Sequence, residues 1–506
     1  MCIRLRNNYL ALRSRSTRRR QTENLILPPH IITLYMSTIP AKNHLVRSLG
    51  LGFAISVVVA NIIGSGVYKK VAPMADQLQS PGWVLAAWIV GGLVTLLGAM
   101  SNAEVAGQLA DTGGDYAYYK KIYNRFIAFM FGWSMFVVVQ TASISSLSYV
   151  FSQSFRALVP VSPMLEDMKD FNIGGVFFPF QDFSTKIVAV VLILFLTLIN
   201  TRPIKNSARL SDIILWLVYL GIGLIVVFGL TSGKANLAQS FDFTTPANHP
   251  VTISAFFTAM LAAFWAYQGW STLGYIGGEI KDAHKNIPKG LAIGVLIVIG
   301  IYLLTNATYL AILPIQQIQD IHTAGNQIAA VEVVKSFWGH GGGIFMGALI
   351  LITTLGCTHA TIYSSARTYF AMAKEKLFFP KMDKLNAHHV PSNVIWVQGI
   401  WACLLVFSGT FDQLTDMIIF AIFFYYGLTT LGVFILRKKM PDANRPYKMW
   451  GYPVLPALFI LFCICLIVNT LITQPREALF GLFLMLTGVP LWWWFTKSEK
   501  RITNNE

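Results

Sequence analysis

The sequence predicts an all-α polytopic membrane protein with twelve transmembrane helices, and three observations carry that prediction. Of its 506 residues, 55% are hydrophobic and only 12% are charged, whereas soluble domains carry about 25% charged residues. The apolar residues fall into runs long enough to cross a bilayer, which takes about 20 residues of helix. Two of these runs, five spans apart, are interrupted by glycine near their middles.

The runs lie near 51–71, 82–107, 127–158, 186–200, 211–231, 252–277, 290–313, 343–371, 393–410, 413–436, 453–473 and 477–496. The fourth is short, while the third and eighth are long enough to tilt or to extend into water. An even number of spans puts both termini on one side. That side collects Lys120, Lys121 and Arg125, then Lys281, Lys285 and Lys289, then Arg437, Lys438 and Lys439, while the opposite loops are poor in Lys and Arg. The bias predicts a multi-pass protein of the plasma (inner) membrane with both termini cytoplasmic. The net charge of +16 is then a matter of topology, and no nucleic-acid partner is expected.

Residues 41–496 read as one membrane domain and 497–506 as a short cytoplasmic tail. Residues 1–40 differ: Arg4, Arg6, Arg13, Arg15, Arg18, Arg19 and Arg20 precede the first acid, Glu23. Such a segment is either an organellar targeting peptide or a plain disordered arm upstream of a start at Met36. Cys357, Cys403, Cys463 and Cys465 fall inside spans and Cys2 sits at the terminus. This spacing supports neither a metal site nor a disulfide-linked subunit. HExxH, GxSxG and paired mid-span aspartates are missing, so no enzyme chemistry is expected.

The first interruption is "VANIIGSGVY", residues 59–68. Each glycine there costs about 1 kcal/mol relative to Ala in a helix interior. Gly64, Ser65 and Gly66 fit two readings, a small-residue seam between packed helices or a true break in the helix. The second interruption, "AFWAYQGWSTLGYIGGE" at 263–279, favours the break. Glycine-interrupted spans at matching places in two halves indicate an inverted-repeat transporter with a site near the midplane. Spans 1–5 would form one repeat and spans 6–10 the other. A break at 64–66 frees backbone N–H groups that suit a carboxylate, and one near 266–270 frees carbonyls that suit an ammonium. A zwitterion with both charges on one carbon satisfies both sets.

Four blocks sharpen this reading: "NIIGSGVY", "AEVAGQLADTGGDYAYY" (103–119), "WAYQGWSTLGYIGGEIKDAHKNIPKG" (265–290) and "GCTHATIYSSARTYFAMAKEKLFFPKM" (356–382). Through them the sequence resembles the amino acid–polyamine–organocation (APC) superfamily of permeases over residues 40–496. It is most similar to the L-type amino acid transporter-like branch. The resemblance implies a LeuT-like 5+5 inverted repeat with interrupted helices 1 and 6, and alternating access around an α-amino-acid site. Carried over by position, Gly64, Ser65 and Gly66 would hold the substrate carboxylate. Ile62, Ile63, Trp265, Ala266 and Gln268 would receive the amino group. Trp265 matches the family's aromatic gate, the plainer reading being a core aromatic.

Departures from the pattern bear on coupling. Val218 falls where many members carry a helix 5 lysine, and His359 where relatives often carry Asn. His359 reads either as a proton-coupling group or as a neutral histidine bonded across helices. Thr361, Ser364 and Ser365 offer oxygens to a sodium-like site, so H+ or Na+ coupling is left open and no other cofactor is expected. Glu104 and Glu279 read as an inner gate network or as interface ion pairs. Lys69 and Lys70 would snorkel to the outer surface or repel cationic substrates. Gln268 replaces a small or acidic residue, which favours neutral amino acids. A polyamine or cationic amino acid permease, or a non-transporting sensor of the same fold, are the alternatives.

Overall fold

The structure is a computed structural model that describes residues 49–109, 114–174, 177–202, 207–324, 327–443, 445 and 447–503, with the side chains at 207–212, 214, 275–279 and 498–503 excluded. The basic arm, Met36, Gly113 and the Glu279 side chain therefore lie outside the described residues, as do residues 504–506 of the tail and the side chains of 498–503.

The first predicted run is a helix in pieces: α1 (Leu51–Ile62), α2 (Gly66–Lys69) and α3 (Val71–Leu78). Then follow α4 (Pro81–Gln108), the short connecting α5 (Gly114–Ile122), α6 (Arg125–Ser134) and α7 (Gln140–Leu158). A π-helical stretch, Met135–Val139, joins the last two. Next come α8 (Phe183–Asn200), α9 (Ser207–Thr231), α10 (Leu237–Ser240) and α11 (Ile253–Tyr267). A 3-10 segment, Trp270–Glu279, leads to α12 (Ala283–Ile312), α13 (Ile315–Ala324) and α14 (Ala329–Lys374). The chain ends with α15 (Ser392–Val406), α16 (Phe411–Lys439), α17 (Val454–Thr473), α18 (Pro475–Leu486) and α19 (Gly488–Thr503).

Among the described residues the fold is helical, with two isolated bridges, Leu49–Ile280 and Ile173–Phe177, in place of any strand. Each predicted run coincides with a helix. Among the described residues, eight helices are long and apolar enough to cross a membrane, and Leu51–Ile62, Leu215–Thr231 and Ser392–Val406 are apolar but shorter. The two runs predicted to be long are so for identifiable reasons. The third is a 34-residue path through the π-helical stretch, and the eighth is a 46-residue path bent at Gly339, whose φ of 70° lies in the left-handed region.

Local chemistry sets the ends. Pro81 opens α4 at a position where its missing N–H is no loss, and Thr410 with Gln413 forms a reciprocal capping box on α16. Behind the interrupted segments lies an aromatic triad from α4, α11 and α12. Trp88 meets Tyr267 at 5.7 Å and Tyr302 at 5.4 Å between ring centroids, and the two tyrosines meet at 5.1 Å. All three are buried. Tyr267 donates to the Trp88 carbonyl at 3.1 Å, so the triad fixes Tyr302 where the two breaks meet.

Candidate functional site

Both interruptions are real breaks, and they touch. α1 stops at Ile62, Ile63 is extended, and Ser65 returns to helical angles before Gly66 opens α2. In the second break α11 stops at Tyr267, Gln268 is extended and Gly269 takes φ +116°. A Cβ on Gly66 would lie 2.6 Å from the Ala266 Cα, and one on Gly269 would strike the Asn61 carbonyl oxygen. Glycine is thus required at 269 for its angle and at both positions for the approach of one broken helix to the other.

The polar groups of the site follow from this crossing. The N–H groups at the start of α2 have no helical partner behind them. Ser65 is 3% exposed, and its hydroxyl is buried without a hydrogen-bond partner among the described residues. The carbonyls freed by the breaks are not bare. Tyr302 of α12 lies 3.0 Å from Ile62 O and 2.8 Å from Ala266 O. The site thus presents an unpaired hydroxyl with open N–H groups on one side and two acceptors sharing one phenol on the other. Of the residues expected here, Ile62, Gly64, Ser65, Gly66 and Ala266 are brought together. Gln268 instead contributes to a cavity of about 10 Å³ lined also by Thr95, Phe423 and Phe459.

Above the crossing, half-buried Trp265 meets Phe411 of α16 edge-on, 6.2 Å between centroids. Lys69 and Lys70 lie over the same Phe411 ring at 4.7 and 4.6 Å. Neither lysine snorkels to the surface: they are 7% and 1% exposed. Lys70 donates to Asp412 Oδ1 and Thr415 Oγ1, both at 2.6 Å, and Lys69 donates to Gln153 Oε1 at 2.6 Å. Buried polar partners on α7 and α16 make exposure unnecessary. Both lysines line a cavity of about 360 Å³ together with Asp182, Asp412 and Asp416.

The coupling candidates on α14 make their described hydrogen bonds to α8, to α15 and to their own helix. His359 Nδ1 is 2.9 Å from Asn200 Nδ2 of α8, so in this amide orientation the ring nitrogen accepts and the histidine is neutral. Ser365 donates to Gln398 Oε1 of α15 at 2.9 Å. Thr361 and Ser364 donate to carbonyls of their own helix, at 2.8 and 3.4 Å. Val218 is buried, and its carbonyl, 3.4 Å from the Tyr68 hydroxyl, makes the contact from α9 to α2. Glu104 lies at the other end of α16, where Arg437 binds it through two bonds of 2.8 and 2.7 Å and the Met449 N–H adds a third at 2.6 Å. Nearby on the connecting α5, Asp115 is buried with a 3.1 Å hydrogen bond from Asn102. Burial pushes its carboxyl up to about 7, against the opposing pull of that bond.

Sequence reasoning missed Tyr302. A tyrosine in an apolar helix reads as core packing, and nothing local signals that its hydroxyl reaches two breaks far away in the chain. The partners of Lys69 and Lys70 are equally remote in sequence.

Helical spans arranged around two touching broken helices, with donors on one side and acceptors on the other, define a polytopic membrane permease. The chain matches the amino acid permease family over residues 49–495, and it belongs to that family, among the L-type-like transporters of the APC superfamily. It is 29% identical to the serine/threonine exchanger SteT of Bacillus subtilis (strain 168), with 90% of this chain and 98% of that protein covered. It is 27% identical to the human large neutral amino acids transporter small subunit 2, covering 88% and 80%. The human Asc-type amino acid transporter 1 is 25% identical, with 90% and 84% covered. Amino acid transport is the activity shared across these relatives.

Proposed function

We propose that this protein exchanges neutral L-amino acids across the plasma membrane by alternating access, through twelve spans in which spans 1–5 and 6–10 form a LeuT-like inverted repeat and both termini are cytoplasmic. The observation that carries the reading is the Ser65 hydroxyl, buried without a partner beside the open N–H groups of α2. An unsatisfied buried hydroxyl costs about 1–3 kcal/mol, and a substrate carboxylate would remove that cost. The substrate ammonium goes to Ile62 O and Ala266 O, in place of the Tyr302 proton or beside it. Trp265 and Phe411 form the lid on the Lys69 side. The neutral preference rests on the two lysines beside the lid.

Exchange is preferred to ion-coupled uptake because His359 pairs through Nδ1 with Asn200 of α8 and, among the described residues, its buried Nε2 meets no acidic group. The similar Bacillus protein is itself named an exchanger. No cofactor and no disulfide-linked subunit enter this reading.

The test is uptake of labelled neutral amino acids into proteoliposomes, empty or preloaded, with a proton or sodium gradient imposed in separate runs. Uptake confined to preloaded vesicles and indifferent to both gradients is expected, with Ser65→Ala raising KM about tenfold, the loss of one hydrogen bond to a charged group. Uptake into empty vesicles driven by either gradient would refute exchange, and an unchanged KM in Ser65→Ala would remove the carboxylate assignment.

A further inference from the structure

The connecting helix α5 packs against the 3-10 segment that follows the second break. Tyr118 of α5 donates to Gly274 O at 3.5 Å, and a Cβ on Gly274 would lie 2.9 Å from that phenol oxygen. Its neighbours in sequence reach three other elements. Tyr119 donates to Tyr425 O of α16 at 2.7 Å. Tyr116 and Lys120 bind Glu375, just past α14, at 3.1 and 3.0 Å, and Asp115 meets Asn102 of α4 at 3.1 Å. A helix of nine residues tied to so many elements moves only if several ties give way, and the segment it braces belongs to a break.

The tie at Asp115 differs from the rest. Its carboxyl is 4% exposed and its described partner is a neutral amide, whose own Oδ1 is buried without a partner among the described residues. The charges of the surrounding elements are employed elsewhere. Arg437 of α16 binds Glu104 of α4, and Lys439 donates to Ile122 O. On α5 itself Lys120 goes to Glu375 while Lys121 is exposed, and Arg125 of α6 donates to Glu375 O. The described side chains of the 3-10 segment, Trp270 to Leu273, carry no charge. The phenols within the field of Asp115 are Tyr119 and Tyr426. An ionised carboxylate in such a place is costly, and a proton removes the cost. The upward push to about 7 by burial agrees with this.

We propose that Asp115 is a proton-binding positioning residue of the transport cycle: with its proton it keeps α5 seated against the 3-10 segment, and without it α5 is freed and the second break can rearrange. The inference rests on the transport reading above. On release the carboxyl O–H bond breaks and the proton passes to water, and the same carboxylate recovers a proton when α5 reseats. The proton therefore sets the rate of exchange and not its extent. Seated, the carboxyl holds its proton up to about pH 7, whereas a hydrated one does so up to about 3.8. Between these values each pH unit favours the freed form about tenfold. From pH 6 to pH 8 the freed form gains about tenfold, and it levels off beyond.

The test is exchange in preloaded proteoliposomes with the pH equal on both faces, so that no proton gradient is present. The wild-type maximal rate is expected to rise about tenfold from pH 6 to pH 8. Asp115→Asn, which mimics the protonated carboxyl, is expected to stay flat near the wild-type rate at pH 6. Asp115→Glu, which keeps a titrating group, is expected to restore the slope. A structural role alone would change the rate and leave the slope in place. A sloping profile in Asp115→Asn, or a flat one in wild type, would overturn the inference. Infrared difference spectra of the wild type in detergent give a second readout that needs no transport and no folded Asn variant. A protonated-carboxyl band that fades from pH 6 to pH 8 and moves in Asp115→Glu is expected, and its absence would overturn the inference. Failure of the wild type to exchange any amino acid sinks the transport reading, whereas exchange whose slope survives in Asp115→Asn sinks this one.

Discussion

The two ends of α16 each carry an ion pair to another helix, and the pairs are built on different plans. At the start of the helix Asp412 meets Lys70 through one 2.6 Å contact, and its side chain keeps 26% exposure on the wall of a large cavity. At the far end Arg437 grips Glu104 through two bonds, the Met449 N–H adds a third, Arg445 lies 3.9 Å away and Tyr452 covers the guanidinium at 3.7 Å. A single bond beside open space is easily exchanged for water. A buried bidentate pair whose carboxylate accepts three bonds is not. The contrast separates a contact suited to making and breaking during a transport cycle from one that ties α4 to α16 permanently.

The difference is breakable by mutation, most forcefully at the closed end. Glu104→Gln would strand Arg437 beside Arg445, and loss of one partner from a buried pair costs about 3–5 kcal/mol. The variant should melt far below wild type in detergent, and a melting point within a degree or two of wild type would erase the contrast. Next in size, Gly269→Ala combines a forbidden φ with a clash against the Asn61 carbonyl, a strain of about 1–3 kcal/mol. Transport should be lost while much of the protein still folds, as size-exclusion profiles would reveal. Lys70→Gln at the open end should cost only about 1 kcal/mol, because solvent in the cavity can serve Asp412. Its signature should be kinetic, a changed turnover with a nearly unchanged melting point.

The smallest effect sharpens the comparison through pH. Asp115, close to the closed end, holds its proton up to about pH 7 in the folded protein, against an ordinary value of 3.8. Between those values the folded chain binds more protons than the unfolded one, so stability declines as pH rises through this window. Asp115→Asn should flatten the melting-point profile between pH 4 and pH 7. An unaltered slope would show that Asp115 does not set it.

Hydropathy alone made the helical segments legible, because lipid leaves a backbone few options other than helix. The breaks were legible because glycine is so poor a helix former that two clusters at matching places stand out. What joins the breaks was not. Gly66 meets Ala266, and Gly269 meets Asn61, across some two hundred residues of chain. The fate of the charges was hidden for a related reason. The sequence alone let Lys69 and Lys70 be read as surface-seeking, because Gln153, Asp412 and Thr415 are brought to them only by folding. His359 carried two readings that no local pattern separates, and its geometry depends on Asn200 at the end of a different helix.

Tyr302 is a donor shared between the two broken helices. A phenol has one proton to give, yet its oxygen lies within bonding distance of two carbonyls belonging to different broken helices. Only one of them can be fully served at a time, so one donor is divided between two helix ends. An ammonium group carries three donors. Its arrival would turn scarcity into sufficiency, letting each helix end hold its own proton in place of a shared one. On the proposed reading, the substrate completes the hydrogen bonding of the protein that carries it.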